Sequence, residues 1–226
     1  MQEPDETPLG GGRETPGVVR VGDTVRRPSG PNAPFVHALL RHLEAVGFSG
    51  APRILGVDDR GREILTYLPG AVILDGPPLS DAQLVDAAGL VRRLHEATAG
   101  TVLAGGAEVV RHMDLGPHNT VFDQARPIAL IDWGDAAPGA RLDDLADAVW
   151  CYGSIGPDGG PIAEQARRIA VFCQAYGWDD RRAVAEAILR DLRRALARHE
   201  REGRPSAADV FRPDVAWWSA HLPELA

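Results

Sequence analysis

The hydrophobic pattern of the chain changes at Pro69 and Gly70. Before this pair, short runs such as "GVVRV", "TVRRP", "PRILGV" and "REILTYL" have the length and residue types of β-strands and surround one helical segment. After it, most apolar residues recur at helical spacing, and a Pro-Gly pair is itself a turn signal. The pattern predicts an α+β fold, with a flexible tail over residues 1–8, a small β-rich lobe over 9–70 and a mainly helical lobe over 71–226.

Local signals define elements within these lobes. A tight turn at Gly22 joins two strands, and a helix over residues 34–46 ends at Gly47, because glycine commonly terminates helices. Ser80 and Gln83 form the capping-box pattern that begins a helix. The apolar face of that helix consists of Leu84, Ala87, Ala88, Val91 and Leu94. Three later helices are predicted over residues 142–153, 161–176 and 180–202.

Composition disfavours several classes of protein. Acidic residues number 32 and basic residues 24, and the net charge of −8 disfavours nucleic acid or an anionic membrane surface as a partner. No apolar run approaches the roughly 18 residues of a membrane helix, and the acidic N-terminus does not resemble a signal peptide. Cys151 and Cys173 are too few for a disulfide framework, so free thiols are expected. The expected location is the cytoplasm. All 24 residues of the Lys and Arg class are arginine, so a mechanism that needs lysine is either excluded or rebuilt around another residue.

The stretch "RHMDLGPHNTVF", residues 111–122, contains the pattern His112-x-Asp114 followed by Asn119. A strand-like run, "IALID", comes soon afterwards and ends at Asp132. Two aspartates and one asparagine at the ends of adjacent strands can converge on one point. This is the oxygen-rich set that Mg²⁺ prefers, with one carboxylate left to act as a base.

A simpler interpretation is a well-formed loop. Asp and Asn beside a Gly-Pro pair are good turn formers, and a lone histidine is most often structural. The pattern alone is short enough to occur by chance. The nearby strand that ends in a second aspartate favours the chemical interpretation.

The segments "HMDLGPHN" and "IDW" resemble the catalytic loop and metal-binding segment of the aminoglycoside phosphotransferase family, whose members share the protein-kinase-like fold with choline and homoserine kinases. The resemblance implies a two-lobed fold with a reduced N-lobe. It also implies that Asp114 is the catalytic base, that His112 supports the catalytic loop, and that Asn119 and Asp132 hold Mg²⁺. Asp144, in "ARLDDLADA", would brace the loop.

The resemblance extends to the N-lobe. The cofactor-binding residues that it implies are Gly10, Gly11, Gly12, Arg26 and Tyr67. The family's third strand normally carries a phosphate-pairing lysine, and Arg26 is the expected substitute, with Arg27 second because adjacent strand residues point to opposite faces. The helix that should supply a glutamate partner has only Glu44, near its end.

The resemblance therefore implies a small-molecule kinase that transfers the γ-phosphoryl group of ATP to a hydroxyl group, with Mg²⁺ as the metal. GTP stays open as the nucleotide, and the acceptor is a small molecule that the sequence does not specify. The missing lysine leaves an alternative from another class, a catalytically inactive, kinase-like binding or regulatory protein. A metal-dependent hydrolase is a weaker third interpretation, because the chain has no His-rich ligand set. The sequence gives no signal for the oligomeric state.

Overall fold

A computed structural model describes residues 6–9 and 17–226. The chain divides into two compact units. The first comprises the described part of Met1–Gly76 together with Arg93–Pro138, and the second comprises Pro77–Arg92 and Gly139–Ala226. The segment that carries the Asp and Asn motif thus shares a unit with the N-terminal sheet. The lobe boundary predicted at residue 70 stays a prediction.

The fold is mixed α+β, as the sequence predicts. Over the described residues the strands are β1 Thr7–Pro8, β2 Val19–Val21, β3 Thr24–Pro28, β4 Ile54–Val57, β5 Arg62–Thr66, β6 Val109–Arg111, β7 Thr120–Asp123, β8 Arg126–Leu130 and β9 Ala137–Gly139. The helices are α1 Ala33–Ala45, α2 Asp81–Thr98, α3 Arg141–Gly153, α4 Ile162–Tyr176, α5 Arg181–Arg201 and α6 Pro205–Leu225. None of the described helices is both long enough and apolar enough to span a bilayer.

The first unit contains an antiparallel sheet in the order β1-β2-β3-β5-β4. Gly22, with φ +59°, makes the predicted tight turn between β2 and β3. Helix α1 packs beside β4, and Gly47, with φ +77°, follows its end as predicted. The buried face of α1 consists of Val36, Leu39, Leu40 and Leu43. The regular alternation of buried and partly exposed residues along β5 places Glu63 and Leu65 on the buried side of the sheet.

The sequence prediction differs from the structure at the start of the chain. The polar composition predicts a flexible tail that includes Thr7 and Pro8, but these residues form β1, which pairs with β2. The Glu6 carboxylate also contacts Arg62, with Nη2 2.8 Å from Oε1. These contacts are long-range, so the polar local sequence gives no sign of them.

Backbone pairing fixes the motif segment within the first unit. Strands β7 and β8 form an antiparallel hairpin, and β6 pairs with β9. Ala71 and Phe122 exchange backbone hydrogen bonds of 3.0 and 2.8 Å. The backbone N–H of Ile131 donates to the Asn119 carbonyl oxygen at 2.9 Å. This bond holds the start of β7 beside the residue that precedes Asp132.

The second unit is helical. Helix α5 packs on α3 and α6, and α4 also packs on α6. The capping box predicted for α2 is present, because the Ser80 backbone N–H donates to Gln83 Oε1 at 2.9 Å. Helix α6 is absent from the sequence prediction. Two prolines lie inside it, Pro213 and Pro223, and proline in a helical pattern is normally a sign that the helix ends.

Candidate active site

His112 is a buried support for the motif segment. Its side chain has no exposed surface, and its Nε2 donates to the Ile131 carbonyl oxygen at 3.0 Å. Its ring also contacts Trp133 edge-on, with centroids 4.6 Å apart. Through these two contacts His112 joins the beginning of the motif to the residues on both sides of Asp132. The geometry supports a scaffold role rather than proton transfer.

Asp114 lies in a short segment held by neighbouring polar groups. His118 Nε2 donates to Asp114 Oδ1 at 3.2 Å. The Asn119 amide donates to Asp114 Oδ2 at 2.6 Å and to the Asp114 carbonyl oxygen at 3.0 Å. The hydrogen bond from His118 holds the pKa of Asp114 below its ordinary value, although burial acts in the opposite direction. Asp114 is therefore a carboxylate at neutral pH, fixed in direction and half exposed.

Two motif residues have an unusual backbone conformation. Met113 has φ +70° and Asp132 has φ +60°. Residues other than glycine rarely adopt this left-handed backbone conformation, and those that do are concentrated at functional sites. Asp is one of the residue types that tolerates the region best. The two unusual residues lie immediately before Asp114 and at Asp132 itself.

Asn119 and Asp132 line one cavity of about 440 Å³. This volume lies in the usual range for small-molecule sites. Apolar side chains from the sheet, including Val25 and Leu65, cover much of it, and its charged lining residues include Arg27 and Glu63. Asp114 does not itself line the cavity, but it is hydrogen-bonded to Asn119 and His118, which do. All these residues belong to the first unit.

The structure corrects the choice between the two strand arginines. Arg26 does not line the cavity. Its Nη1 donates to Thr24 Oγ1 at 2.6 Å, and its Nε lies 3.8 Å from Asp58 Oδ2. Arg27 lines the cavity instead, and its Nη1 donates to Asp132 Oδ1 at 3.1 Å. Adjacent strand residues face opposite ways, and the register of β3 against β5 pairs Val25 and Arg27 with Leu65 and Glu63 on the cavity face.

The other predicted nucleotide-binding residues have mixed outcomes. Tyr67 lines the cavity, and the Arg20 guanidinium stacks over its ring at 3.8 Å. The predicted phosphate-loop glycines, Gly10, Gly11 and Gly12, lie outside the described residues. The described residues that flank this segment, Leu9 and Val18, both line the cavity.

Glu44 does not approach Arg27. It is exposed, and its Oε1 lies 3.4 Å from Arg53 Nε. Asp144 is fully buried in the first turn of α3, within the second unit. Its role in bracing the catalytic loop stays a prediction.

Three polar residues near the cavity do not stand out in the sequence. Glu63 lies directly across β3–β5 from Arg27, and His37 on α1 donates from Nε2 to Glu63 Oε1 at 2.8 Å. Asn32, which precedes α1, donates from its amide to the carbonyl oxygens of Gly134 and Ala136. One sequence signal points to Glu63. If Leu65 faces the core, so must Glu63, and a buried carboxylate needs a cationic partner.

The donor set near Asp132 suits a hard cation. A carboxylate from Asp132 and an amide oxygen from Asn119 face one cavity, and Mg²⁺ is commonly bound by one or two such ligands plus water and phosphate oxygens. The Asn119 NH₂ group is directed at Asp114, which leaves Oδ1 to face a cation. No group of three or more His, Cys, Asp or Glu side chains in the described ranges is arranged as a metal site. The residues thus fit a metal shared with a phosphate ligand better than a metal held by protein alone.

A model of the phosphotransferase enzyme family matches residues 5–103 and 99–187, well over half of the chain. The chain belongs to this family. A curated relative from Rhizobium leguminosarum bv. trifolii, the trifolitoxin immunity protein, is 32% identical over 246 residues, which cover 94% of this chain and 93% of the relative. This phosphotransferase-family chain is thus similar to a curated protein over nearly its whole length.

Solved structures confirm the kinase-like fold expected from the sequence. The aminoglycoside phosphotransferase APH(2″)-IIa in complex with gentamicin has a TM-score of 0.64 at 14% identity, covering 94% of this chain and 91% of its own. The macrolide 2′-phosphotransferase of Brachybacterium faecium has a TM-score of 0.57 at 20% identity, covering 87% of each chain. The ADP-bound phosphotransferase APH(2″)-Ib has a TM-score of 0.61 at 13% identity, covering 93% of each.

Proposed function

We propose that this phosphotransferase moves the γ-phosphoryl group of ATP to a hydroxyl group of a small molecule, with Mg²⁺ as the metal and Asp114 as the catalytic base. The observation that carries the proposal is the convergence of Arg27, Asn119 and Asp132 on one cavity, with Asp114 hydrogen-bonded to Asn119. A cation for phosphate, oxygen ligands for a metal and a carboxylate for the acceptor are the groups that phosphoryl transfer needs. Because ATP is a cytoplasmic metabolite, the cytoplasm is the proposed location.

In the proposed reaction the acceptor oxygen forms a bond to the γ-phosphorus, and the bond from that phosphorus to the bridging oxygen breaks, releasing ADP. The hydroxyl proton passes to Asp114. Hydrogen bonds from His118 and Asn119 keep this carboxylate ionised and directed, so Asp114 acts by orienting the hydroxyl as well as by basicity.

Other residues bind the phosphates. Arg27 would contact phosphate oxygens through its guanidinium, which forms strong charge-assisted hydrogen bonds. Asn119 and Asp132 would hold Mg²⁺, which when bound neutralises charge on the phosphate oxygens. The resemblance also implies that Gly10, Gly11 and Gly12, which lie outside the described residues, would present backbone N–H groups to phosphate.

The acceptor class rests on the relative. Because the relative with 32% identity is an immunity protein for trifolitoxin, a toxin or antibiotic with a free hydroxyl group is the acceptor to test first. Phosphorylation adds about two negative charges at neutral pH. Such a change would alter how the compound is recognised by its target.

A binding protein is the second candidate. The chain has no lysine, and an immunity protein can in principle act by sequestering a toxin. In that case the cavity would retain ligand without transferring phosphate. The two candidates differ in whether a labelled phosphoryl group reaches the toxin.

The test has two stages. Wild-type protein is first titrated with ATP in the presence and absence of Mg²⁺, and tighter binding with Mg²⁺ is expected. It is then incubated with γ-labelled ATP and a panel of hydroxyl-bearing antibiotics and toxins, and one acceptor is expected to gain label. If ATP does not bind, the kinase proposal is overturned. Binding of a toxin with no label transfer, despite bound ATP, would favour sequestration.

A further inference from the structure

A chain of polar contacts runs from Arg27 and Glu63 in the cavity wall to His37 on α1. Arg27 Nε is 3.3 Å from Glu63 Oε2, a charge contact without hydrogen-bond alignment. The second carboxylate oxygen of Glu63, Oε1, accepts a hydrogen bond from His37 Nε2 at 2.8 Å. The Glu63 side chain is only 5% exposed. The two oxygens of one buried carboxylate therefore have partners on two different elements, β3 and α1.

Because Glu63 is buried, the protein would be destabilised if its carboxylate lacked these partners. A carboxylate removed from water costs several kcal/mol unless it is paired and hydrogen-bonded. Here the two partners approach from different sides, so they fix the plane of the carboxylate as well as its charge. A fixed carboxylate in turn limits where the Arg27 guanidinium can lie. Glu63 is the direct cross-strand neighbour of Arg27, which adds a rigid backbone relation to the side-chain contact.

The Arg27 guanidinium lies between Glu63 and Asp132, which both line the cavity. Nε faces Glu63, whereas Nη1 faces Asp132 at 3.1 Å. Nη2 lies on the side of Gly134, where even an added Cβ atom would remain 3.5 Å away. Nη1 and Nη2 each carry two N–H donors, so the guanidinium can contact phosphate oxygens while Nη1 also donates to Asp132.

From this arrangement we infer that Glu63 and His37 are positioning residues for Arg27, and that together they replace the acid that α1 does not supply. Glu63 holds the guanidinium from β5, and His37 holds Glu63 from α1. The ligand that they prepare Arg27 to bind is the phosphate chain of a nucleotide. This inference rests on the proposed function, because it assumes that a nucleotide occupies the cavity.

The opposite face of the same sheet offers a matched control. Asp58 Oδ2 lies 3.8 Å from Arg26 Nε and 2.8 Å from Arg62 Nε. These three residues lie outside the cavity lining. Asp58→Asn thus removes an acid that pairs with strand arginines in the same sheet but does not line the cavity.

The first experiment measures the dissociation constants of ATP, ADP and adenosine with Mg²⁺ present. The proteins are wild type, Arg27→Ala, Glu63→Gln, Arg26→Ala and Asp58→Asn. Arg27→Ala removes the guanidinium, and Glu63→Gln removes the charge that orients it. Each variant is expected to raise the dissociation constants of ATP and ADP by roughly tenfold or more, the size of a lost hydrogen bond to a charged group. Adenosine, which has no phosphate, should bind all five proteins alike, and the two control variants should bind ATP as wild type does.

The outcomes separate this inference from the proposed function. If wild type binds no nucleotide, the proposed function fails. If Arg27→Ala weakens ATP but Glu63→Gln does not, the function stands and the positioning role of Glu63 is wrong. An equal loss of affinity for ATP and adenosine in Glu63→Gln would also overturn the positioning role. Such a result would indicate general damage to the cavity, because adenosine has no phosphate.

A second pair of variants tests the inference even if Glu63→Gln does not fold. A glutamine at position 37 can place its amide NH₂ near the position of the histidine Nε2, whereas the shorter asparagine cannot. His37→Gln should therefore keep most of the ATP affinity, and His37→Asn should lose it by roughly tenfold. His42→Asn, on the same helix with Nε2 bonded to the Ala97 carbonyl oxygen, controls for damage to α1. Equal ATP affinity in the two His37 variants would contradict the proposal.

Discussion

At the scale of single residues, the site combines strain with hydrogen bonding. Met113 and Asp132 are two of the four non-glycine residues in the described chain with positive φ. Between them, Asp114 is held by His118 and Asn119. A carboxylate fixed in this way loses little freedom when an acceptor arrives, which is the physical basis of catalysis by orientation.

Replacement of Asp114 by asparagine is expected to lower kcat by roughly 10²-fold or more, the usual contribution of a general base. Asparagine has nearly the same shape, so the ATP dissociation constant should change little. The measurement is steady-state kinetics with an identified acceptor, together with ATP titration. Asp135→Asn is the control, because Asp135 is an exposed acid in the same region. Full turnover in Asp114→Asn would remove this residue from the mechanism.

Cys173 illustrates a different residue-scale effect. Its side chain is 1% exposed, and burial raises its pKa to about 12. Because the thiolate is the reactive form, iodoacetamide should modify Cys173 very slowly in the native protein at mildly alkaline pH and rapidly after unfolding. Mass spectrometry of the alkylated peptides measures both rates. Equal rates in the native and unfolded protein would show that the thiol is accessible.

At the scale of elements, the segment after β5 is fixed by close backbone contact. Gly70 has φ +142°, and an added Cβ atom would lie 2.5 Å from the Phe122 carbonyl oxygen and 2.7 Å from Val121 Cγ1. The neighbouring pair Ala71 and Phe122 forms the bridge to β7. Only glycine allows the chain to pass this strand so closely.

Gly70→Ala is therefore expected to destabilise the protein by about 1–3 kcal/mol, through both backbone strain and a steric clash. Denaturant unfolding measures the change in the free energy of unfolding. Gly30→Ala is the matched control, because Gly30 is exposed and nothing lies within 4 Å of an added Cβ atom. A change of less than about 0.5 kcal/mol in Gly70→Ala, typical of a neutral surface substitution, would mean that the segment moves away easily.

At the scale of the whole molecule, the site draws on distant parts of the sequence. Arg27 and Glu63 come from the N-terminal sheet, and Asn119 and Asp132 come from the motif segment, yet all four lie in the first compact unit. A ligand that touches both segments should therefore stabilise the folded protein. For one site the stabilisation grows as the logarithm of ligand concentration and reaches about 2.7 kcal/mol at a hundred times the dissociation constant.

Asp132→Asn tests the metal at this scale. Asparagine tolerates the left-handed backbone of this position, so the thermal midpoint of the ligand-free variant should stay near that of wild type. ATP with Mg²⁺ is expected to raise the midpoint of wild type strongly and of the variant weakly. ATP with a chelator is the control, and it should change the thermal midpoints of the two proteins by the same amount. If ATP with Mg²⁺ stabilises both equally, Asp132 is not a metal ligand.

The elements with local signals could be predicted from the residues alone. The Gly22 turn, helix α1 with Gly47 after it, and the capping box of α2 follow from neighbouring residues, because turn and cap geometry involves only a few residues. The motif around Asp114 and Asn119 was also visible, since it is a local pattern of polar residue types beside a strand-like run. Helix α6 was missed because Pro213 and Pro223 give a local signal that packing against α4 and α5 overrides.

Contacts between residues that are distant in the sequence became visible in the folded chain and not before. Sequence alternation showed that Arg26 and Arg27 face opposite ways, but the register of β3 against β5 decided that Arg27 faces the cavity. Glu63 and His37 are 26 positions apart, and no local pattern links them. The pairing of Thr7 and Pro8 with β2 is similar. The physical reason is the same in each case: a buried charge or an unpaired backbone group is satisfied by whichever partner the fold brings near, and that partner is often distant in the sequence.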